Sequence, residues 1–328
     1  MAAAPRGGLL FGVYPGSATG DDAGRIVTGP PDVPRRIDDA LDELQGPAGR
    51  AFAVRAYRIF TDPADSSQSA LPETPAGFGR YLGRGRVLDL VAQYHSAAGD
   101  VPGYCAFLEE LVDSYGDRIG SLQVGEEPNV TGNPSLDGWY PRVTEAIVSG
   151  VAAAKARARR FPGLTVGINT TPLAGPGRTF LAELTAAGRD RFIASLDYVG
   201  LDFFPDVFRP VPVPQLSNVV AGLLADHRGR VLAPAGLGHL PLVITEHGWP
   251  TGPGRPPGRQ AQVLSAVVET IVGHAAALNI TGYSHFALRD ACTARTGLFC
   301  QFGLMTDDYA PKPAFGAYRD LIRSCGRQ

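Results

Sequence analysis

The chain has 328 residues, 44% of them hydrophobic and 19% charged, an ordinary globular composition with enough chain for a large core. A net charge of −2 gives no electrostatic pull toward nucleic acid or an anionic membrane. No apolar run approaches the roughly 20 residues that span a bilayer.

The start, Met1-Ala-Ala-Ala-Pro-Arg-Gly7, runs almost at once into an apolar strand. It lacks the basic, apolar and cleavage regions of a signal peptide in order. That points to the cytoplasm, or to export only if a leader has been removed. Leu9–Tyr14 is the first expected strand, with a helix over Val33–Leu44. Ala51–Ile59 is the second strand and Arg86–Tyr94 the third, followed by a helix over Tyr104–Tyr115 with apolar residues at helical spacing. Ser121–Gly125 is the fourth strand, and a long helix over Gly138–Arg160 follows it. The basic run that closes this helix, 155–160, holds one of only two lysines, Lys155 and Lys312. It reads as a solvated terminus favoured by the helix dipole.

Leu164–Asn169 is the fifth strand, with a helix over Thr179–Gly188. Leu196–Phe204 is the sixth, with a helix inside Val213–Leu224. Leu242–Thr245 is the seventh, with a helix over Arg259–Ala277. Gly282–Leu288 is the eighth, and a helix over Ala314–Ile322 closes the chain. Strand-helix alternation predicts a parallel sheet covered by helices. Eight units predict one closed (β/α)8 TIM barrel spanning residues 1–328. No Gly-x-Gly-x-x-Gly follows the first strand and there is no phosphate-loop pattern, which argues against a nucleotide site. Stretches 172–178 and 251–258 read as barrel loops. Cys105, Cys292, Cys300 and Cys325 lack zinc-ligand spacing. Cys292 and Cys300 flank one short loop, as a disulfide suited to an oxidising exterior or as two independent thiols.

Barrels of this kind carry their chemistry at the carboxyl ends of the strands. There this chain delivers a polar, aromatic and acidic rim. Strand two offers Arg55 and Tyr57, strand three Gln93 and His95, strand five Asn169, strand six Asp202, and strand eight Phe286 and Arg289. Two strand ends share one build. Leu122-Gln-Val-Gly-Glu-Glu-Pro-Asn129 and Leu242-Val-Ile-Thr-Glu-His-Gly-Trp-Pro250 are buried runs that each hand a glutamate to the rim.

These two stretches resemble clan A glycoside hydrolases, the (β/α)8 retaining glycosidases with one catalytic glutamate after strand four and another after strand seven. The first clan motif, Asn-Glu-Pro, corresponds to Glu126-Glu127-Pro128, and the second, Thr-Glu-x-Gly-Trp, to Thr245-Glu246-His247-Gly248-Trp249. The tail, with Gly297-Leu298, Gly303-Leu304 and Pro311-Lys-Pro313, is similar to bacterial, actinobacterial-like members of the cellulase or glycosidase type. The resemblance implies Glu127 as general acid/base, Glu246 as nucleophile, and Arg55 as the cation supporting the nucleophile.

Such chemistry needs two carboxyl groups. A glycosidic oxygen must be protonated as its bond breaks, and the anomeric carbon, turning cationic, needs an anion that attacks it. The first group must stay protonated at working pH and the second must not. Trp249 is expected as a stacking platform for the sugar. Glu126, His95, Tyr14, Asp202, Phe286 and Arg289 are further candidate substrate contacts.

Three departures stand out. Glu126 replaces the clan's Asn, the usual partner of the sugar 2-hydroxyl, and a carboxylate accepts but does not donate unless protonated. Strand six carries Asp202-Phe-Phe-Pro205 where many relatives place Tyr or His near the nucleophile. Strand eight has Phe286 where many place Trp. His95, His247 and His285 form no metal-ligand pattern. The reading is therefore a retaining O-glycoside hydrolase without cofactor or metal, acting as a monomer on an oligosaccharide, polysaccharide or glycoside. Alternatives on the same barrel are a carbohydrate-binding pseudo-glycosidase and a transglycosylase.

Overall fold

A computed structural model describes residues 8–21, 23–62, 72–172 and 176–326. The opening 1–7 and parts of two expected rim loops, 63–71 and 173–175, lie outside the described residues. The eight barrel strands are β1 (Leu10–Val13), β2 (Phe52–Thr61), β3 (Arg86–His95), β4 (Ile119–Val124), β5 (Thr165–Thr170), β6 (Tyr198–Asp202), β7 (Leu242–His247) and β8 (Ile280–His285). They pair in parallel, in chain order, and β1 closes on β8 with Val13 opposite His285. Around them stand α1 (Pro34–Gln45), α2 (Val101–Tyr115), α3 (Val143–Ala158), α4 (Phe180–Ile193), α5 (Val213–His227), α6 (Pro257–His274) and α7 (Pro313–Cys325). This is the expected (β/α)8 barrel.

The alternation is not complete. Among the described residues, β2 and β3 are joined without an α-helix: one 3₁₀ turn (Phe78–Tyr81) and a two-residue strand (Glu73–Thr74) antiparallel to β2 stand in its place. A second correction concerns the helix expected from Gly138. Only a short 3₁₀ turn, Asp137–Trp139, forms there, and α3 begins at Val143. Pro141 lacks the N–H a continuous helix needs, and Arg142 takes φ +60. The break leaves Asp137 free to turn into the barrel mouth. α2 starts earlier than expected because Asp100 caps it, its carboxylate accepting from Gly103 N–H at 2.9 Å.

Strand and helix faces share a core of fully buried aliphatic and aromatic residues such as Val54, Leu90, Leu122, Ile168, Leu201 and Ile244. Inside the barrel the register sets Arg55 beside Asp89, Asp89 beside Ser121, and Glu246 beside Asp202. Cys292 and Cys300 carry free thiols, and the backbone N–H of Cys292 bonds the Cys300 carbonyl at 3.0 Å. Of the two readings of this pair, it is the independent thiols that are found. The basic run ending α3 is ion-paired rather than merely solvated: Lys155 meets Asp197, Arg157 meets Glu109, and Arg160 meets Asp113. Among the described residues no helix is long and apolar enough to cross a membrane.

Candidate active site

Arg55 is the hub of the barrel mouth. Strand alternation puts Arg55 and Tyr57 on the same, inward face of β2. The guanidinium is fully buried, and a buried charge persists only when paired. It donates to Asp89 (2.9 Å), Gln123 (3.1 Å), Glu126 (3.4 Å) and the Tyr57 hydroxyl (2.8 Å), and lies 3.6 Å from Glu246.

Glu246 is delivered at the end of β7, where the pairing with β6 and β8 slips just past Ile244. Such an irregularity re-aims a side chain. Gly248 follows because a side chain there would run into the Phe286 carbonyl of the neighbouring strand end. Tyr57 donates a short hydrogen bond to Glu246. Burial pushes the Glu246 carboxyl up, while Arg55 and Tyr57 oppose it and favour the ionised form.

The β4 end turns sharply. Gly125 has φ +85, and a side chain at this position would meet Ile147 of α3. Glu127 has φ +42, uncommon for a residue with a side chain. Side chains hold the turn: Asp137 accepts from the backbone N–H of Tyr94 (2.9 Å) and of Glu126 (2.8 Å), and Asn169 accepts from that of Glu127 (2.9 Å). The turn points the two neighbouring carboxyls apart. Glu126 is buried, accepting from Gln123 (2.6 Å), Arg55 and Asn169 (3.3 Å). Glu127 is half-buried on the cleft wall, with Thr171 as its side-chain partner. Burial raises the Glu127 carboxyl well above the ordinary carboxylate range, with the negative charges of Asp202 and Glu246 adding to it. Glu126 is raised for the same reasons.

Glu126, Asp202 and Glu246 bring carboxylate oxygens within 4.8 Å of one another. Asp202 accepts from Thr245 (2.7 Å) and Asn169, and burial with the Glu246 charge pushes it to about 8. The guanidinium of Arg55 faces two members of this cluster, Glu126 and Glu246, and offsets their charge. Glu126 has already committed one oxygen to three donors, which suits proton sharing rather than a cation.

Above this floor opens a cleft of about 370 Å³. Its lining includes Tyr57, Gln93, Glu126, Glu127, Glu246 and Phe286, so four of the expected residues meet there. Arg55 and Asp202 lie directly beneath. The other four stand apart. Trp249 is buried rather than offered as a platform: its indole N–H donates to the Asp206 carbonyl (3.1 Å) and carboxylate (3.0 Å), and Arg255 covers its ring at 5.1 Å. His95 stacks on Tyr140 (4.7 Å) with Nε2 3.6 Å from Asp137, and burial lowers it to about 4, keeping it neutral. Tyr14 lies behind the wall, its hydroxyl on Thr74 (2.5 Å) and its ring stacked under Phe286 at 5.2 Å. Arg289 ties the β1 and β8 loops together through Ser17 (2.9 Å) and Asp32 (2.8 Å).

Sequence reasoning left Tyr57 without a role. Its signal was its two-residue spacing from Arg55. Asn169 stood at its strand end unassigned, and Asp137, just ahead of the helix expected from Gly138, was not singled out.

No family model and no curated protein matches the chain. Solved structures are similar to it in fold. A glucosidase from Croceicoccus marinus superposes with a TM-score of 0.62 at 16% identity, over 97% of this chain and 70% of that chain. The family 1 β-glucosidase from Thermotoga maritima gives 0.61 at 13% identity, over 99% and 98%. A family 39 glycoside hydrolase from Bacteroides cellulosilyticus WH2 gives 0.59 at 15%, over 98% of this chain and 64% of that one. At such identities the likeness carries the barrel fold. That fold fits the clan read from the two glutamate motifs, and none of the three is described as a cellulase.

Proposed function

We propose that the protein is a retaining O-glycoside hydrolase. The observation that carries this reading is one cleft holding two unlike carboxyls, Glu246 clamped by Arg55 and Tyr57, and Glu127 raised and, among the described residues, without a salt-bridge partner. Glu127 gives its proton to the glycosidic oxygen while the Glu246 carboxylate attacks the anomeric carbon, and the aglycone leaves as the alcohol. Once Glu246 is esterified its charge is gone, and Glu127 is freer to ionise. It then takes a proton from water as that water displaces Glu246, releasing the sugar with its original anomeric configuration. Glu126 is a poor candidate for this proton traffic, because three donors already hold it. The reading calls on no cofactor.

Replacing Glu127 or Glu246 by alanine is expected to abolish cleavage of a glycoside. Azide should restore turnover of an activated aryl glycoside by the Glu246→Ala protein, giving a glycosyl azide of inverted configuration. Undiminished activity in both variants would reject the assignment.

A further inference from the structure

One wall of the cleft is built of phenyl rings. The loop after β6 supplies Phe204 and Phe208, and the loops after β8 supply Phe286, Phe299 and Phe302. They form a continuous series. Phe286 meets Phe302 (5.9 Å), Phe302 meets Phe204 (5.7 Å) and Phe299 (6.0 Å), and Phe299 meets Phe208 (6.3 Å). The series runs from beside the carboxylate floor to the rim, where Phe208 is 63% exposed. A phenyl ring has no donor or acceptor, and a sugar hydroxyl pressed against it in a desolvated cleft loses a hydrogen bond to water without replacement. Polar groups that can serve a sugar ring stand off this wall, at Glu126, Tyr57 and Gln93 and, elsewhere in the lining, at Asn133, Ser135 and Thr171.

A sugar seated on the carboxylate floor leaves the rest of a glycoside to extend outward along this wall, toward Phe208 at the rim. We propose, building on the glycosidase reading, that this wall is an aglycone site for an apolar leaving group, a long alkyl or aryl alcohol, so that the substrates are glycosides of hydrophobic alcohols. A cleft of about 370 Å³ falls in the range that encloses a small organic ligand. An apolar aglycone would cover the exposed face of Phe208.

The test compares methyl, hexyl and octyl glycosides of one sugar, whose leaving alcohols differ little in acidity. The expected result is that kcat/KM rises with chain length, by at most about fourfold per buried methylene. Phe208→Ser and Phe299→Ser should each cut the octyl-to-methyl ratio severalfold. Equal rates across the series, a ratio unchanged in both variants, or a preference for oligosaccharides over the octyl glycoside would overturn the proposal. Calorimetric binding of the same glycosides to the Glu127→Gln protein separates this inference from the one beneath it. Tighter octyl than methyl binding supports the apolar site even where no glycoside is turned over, and equal binding refutes it.

Discussion

Glu246 and Glu127 reach the same barrel mouth from strands of similar build, yet they are held in different ways. Glu246 is fixed through its carboxylate, by Arg55 and the Tyr57 hydroxyl. Glu127 is fixed through its backbone, by the turn at Gly125 and the Asn169 side chain, while its carboxyl meets no cation among the described residues. The contrast is chemical. In the proposed reaction, the group that must stay ionised is the one bound by charge, and the group that must exchange its proton is the one aimed by the main chain.

The hardest blow to this contrast is Arg55→Ala. It strands Asp89, Glu126 and Glu246 in a buried site without their cation, and loss of a buried pair costs about 3–5 kcal/mol. Urea unfolding should show that loss. Tyr57→Phe is the cleaner cut at Glu246. It removes one hydrogen bond to a charged group, worth about 1.5–3 kcal/mol, so kcat should fall about 10- to 100-fold with KM little changed. An unaltered kcat would mean that Tyr57 does not support the nucleophile.

Gly125→Ala attacks the opposite end. The new methyl meets Ile147, and alanine must adopt a positive φ, so about 1–3 kcal/mol of stability should be lost. If the turn aims Glu127, kcat of the surviving fold should drop as well, whereas the single azide displacement on an activated aryl glycoside by the Glu246→Ala protein, whose leaving group needs no acid, should show no further drop.

The smallest effect is in pH. A carboxyl raised in the fold stabilises it fully below its ordinary pKa and loses that contribution as pH climbs through the folded value. Asp202, raised to about 8, and Asp137, raised to about 7, therefore predict a falling Tm toward pH 8. His95, lowered to about 4 from 6.5, acts oppositely, and its contribution is lost only as pH falls below 6.5. Thermal stability should thus fall between pH 6.5 and 8, and Asp202→Asn should flatten that slope. Asp202 also raises Glu127, so the same variant should move the alkaline limb of kcat/KM to lower pH. A limb that stays put would remove Asp202 from the proton balance.

Strand ends were the legible part of the sequence. A buried run broken by Gly-Glu or Thr-Glu can be recognised from a few neighbouring residues, and so both glutamates and the barrel emerge from local pattern. Trp249 misled because its motif says where its backbone sits, not that Asp206 and Arg255 claim its ring. The β2–β3 connection misled because counting strands does not count helices. The phenyl wall was invisible for a different reason. Residues 204 and 208 lie some eighty residues or more from 286, 299 and 302, and only closure of the barrel brings the two loops together.

Phe286 belongs to both halves of the cleft. Its carbonyl crowds Gly248 beside the nucleophile strand, its ring rests on Tyr14, and its edge begins the phenyl wall. On the proposed reading, variation at this one position would alter the seat of Glu246 and the preference for a leaving group together. Selection for a new substrate therefore has freer play at Phe208 and Phe299, near the rim, than at the ring where recognition and reactivity are joined.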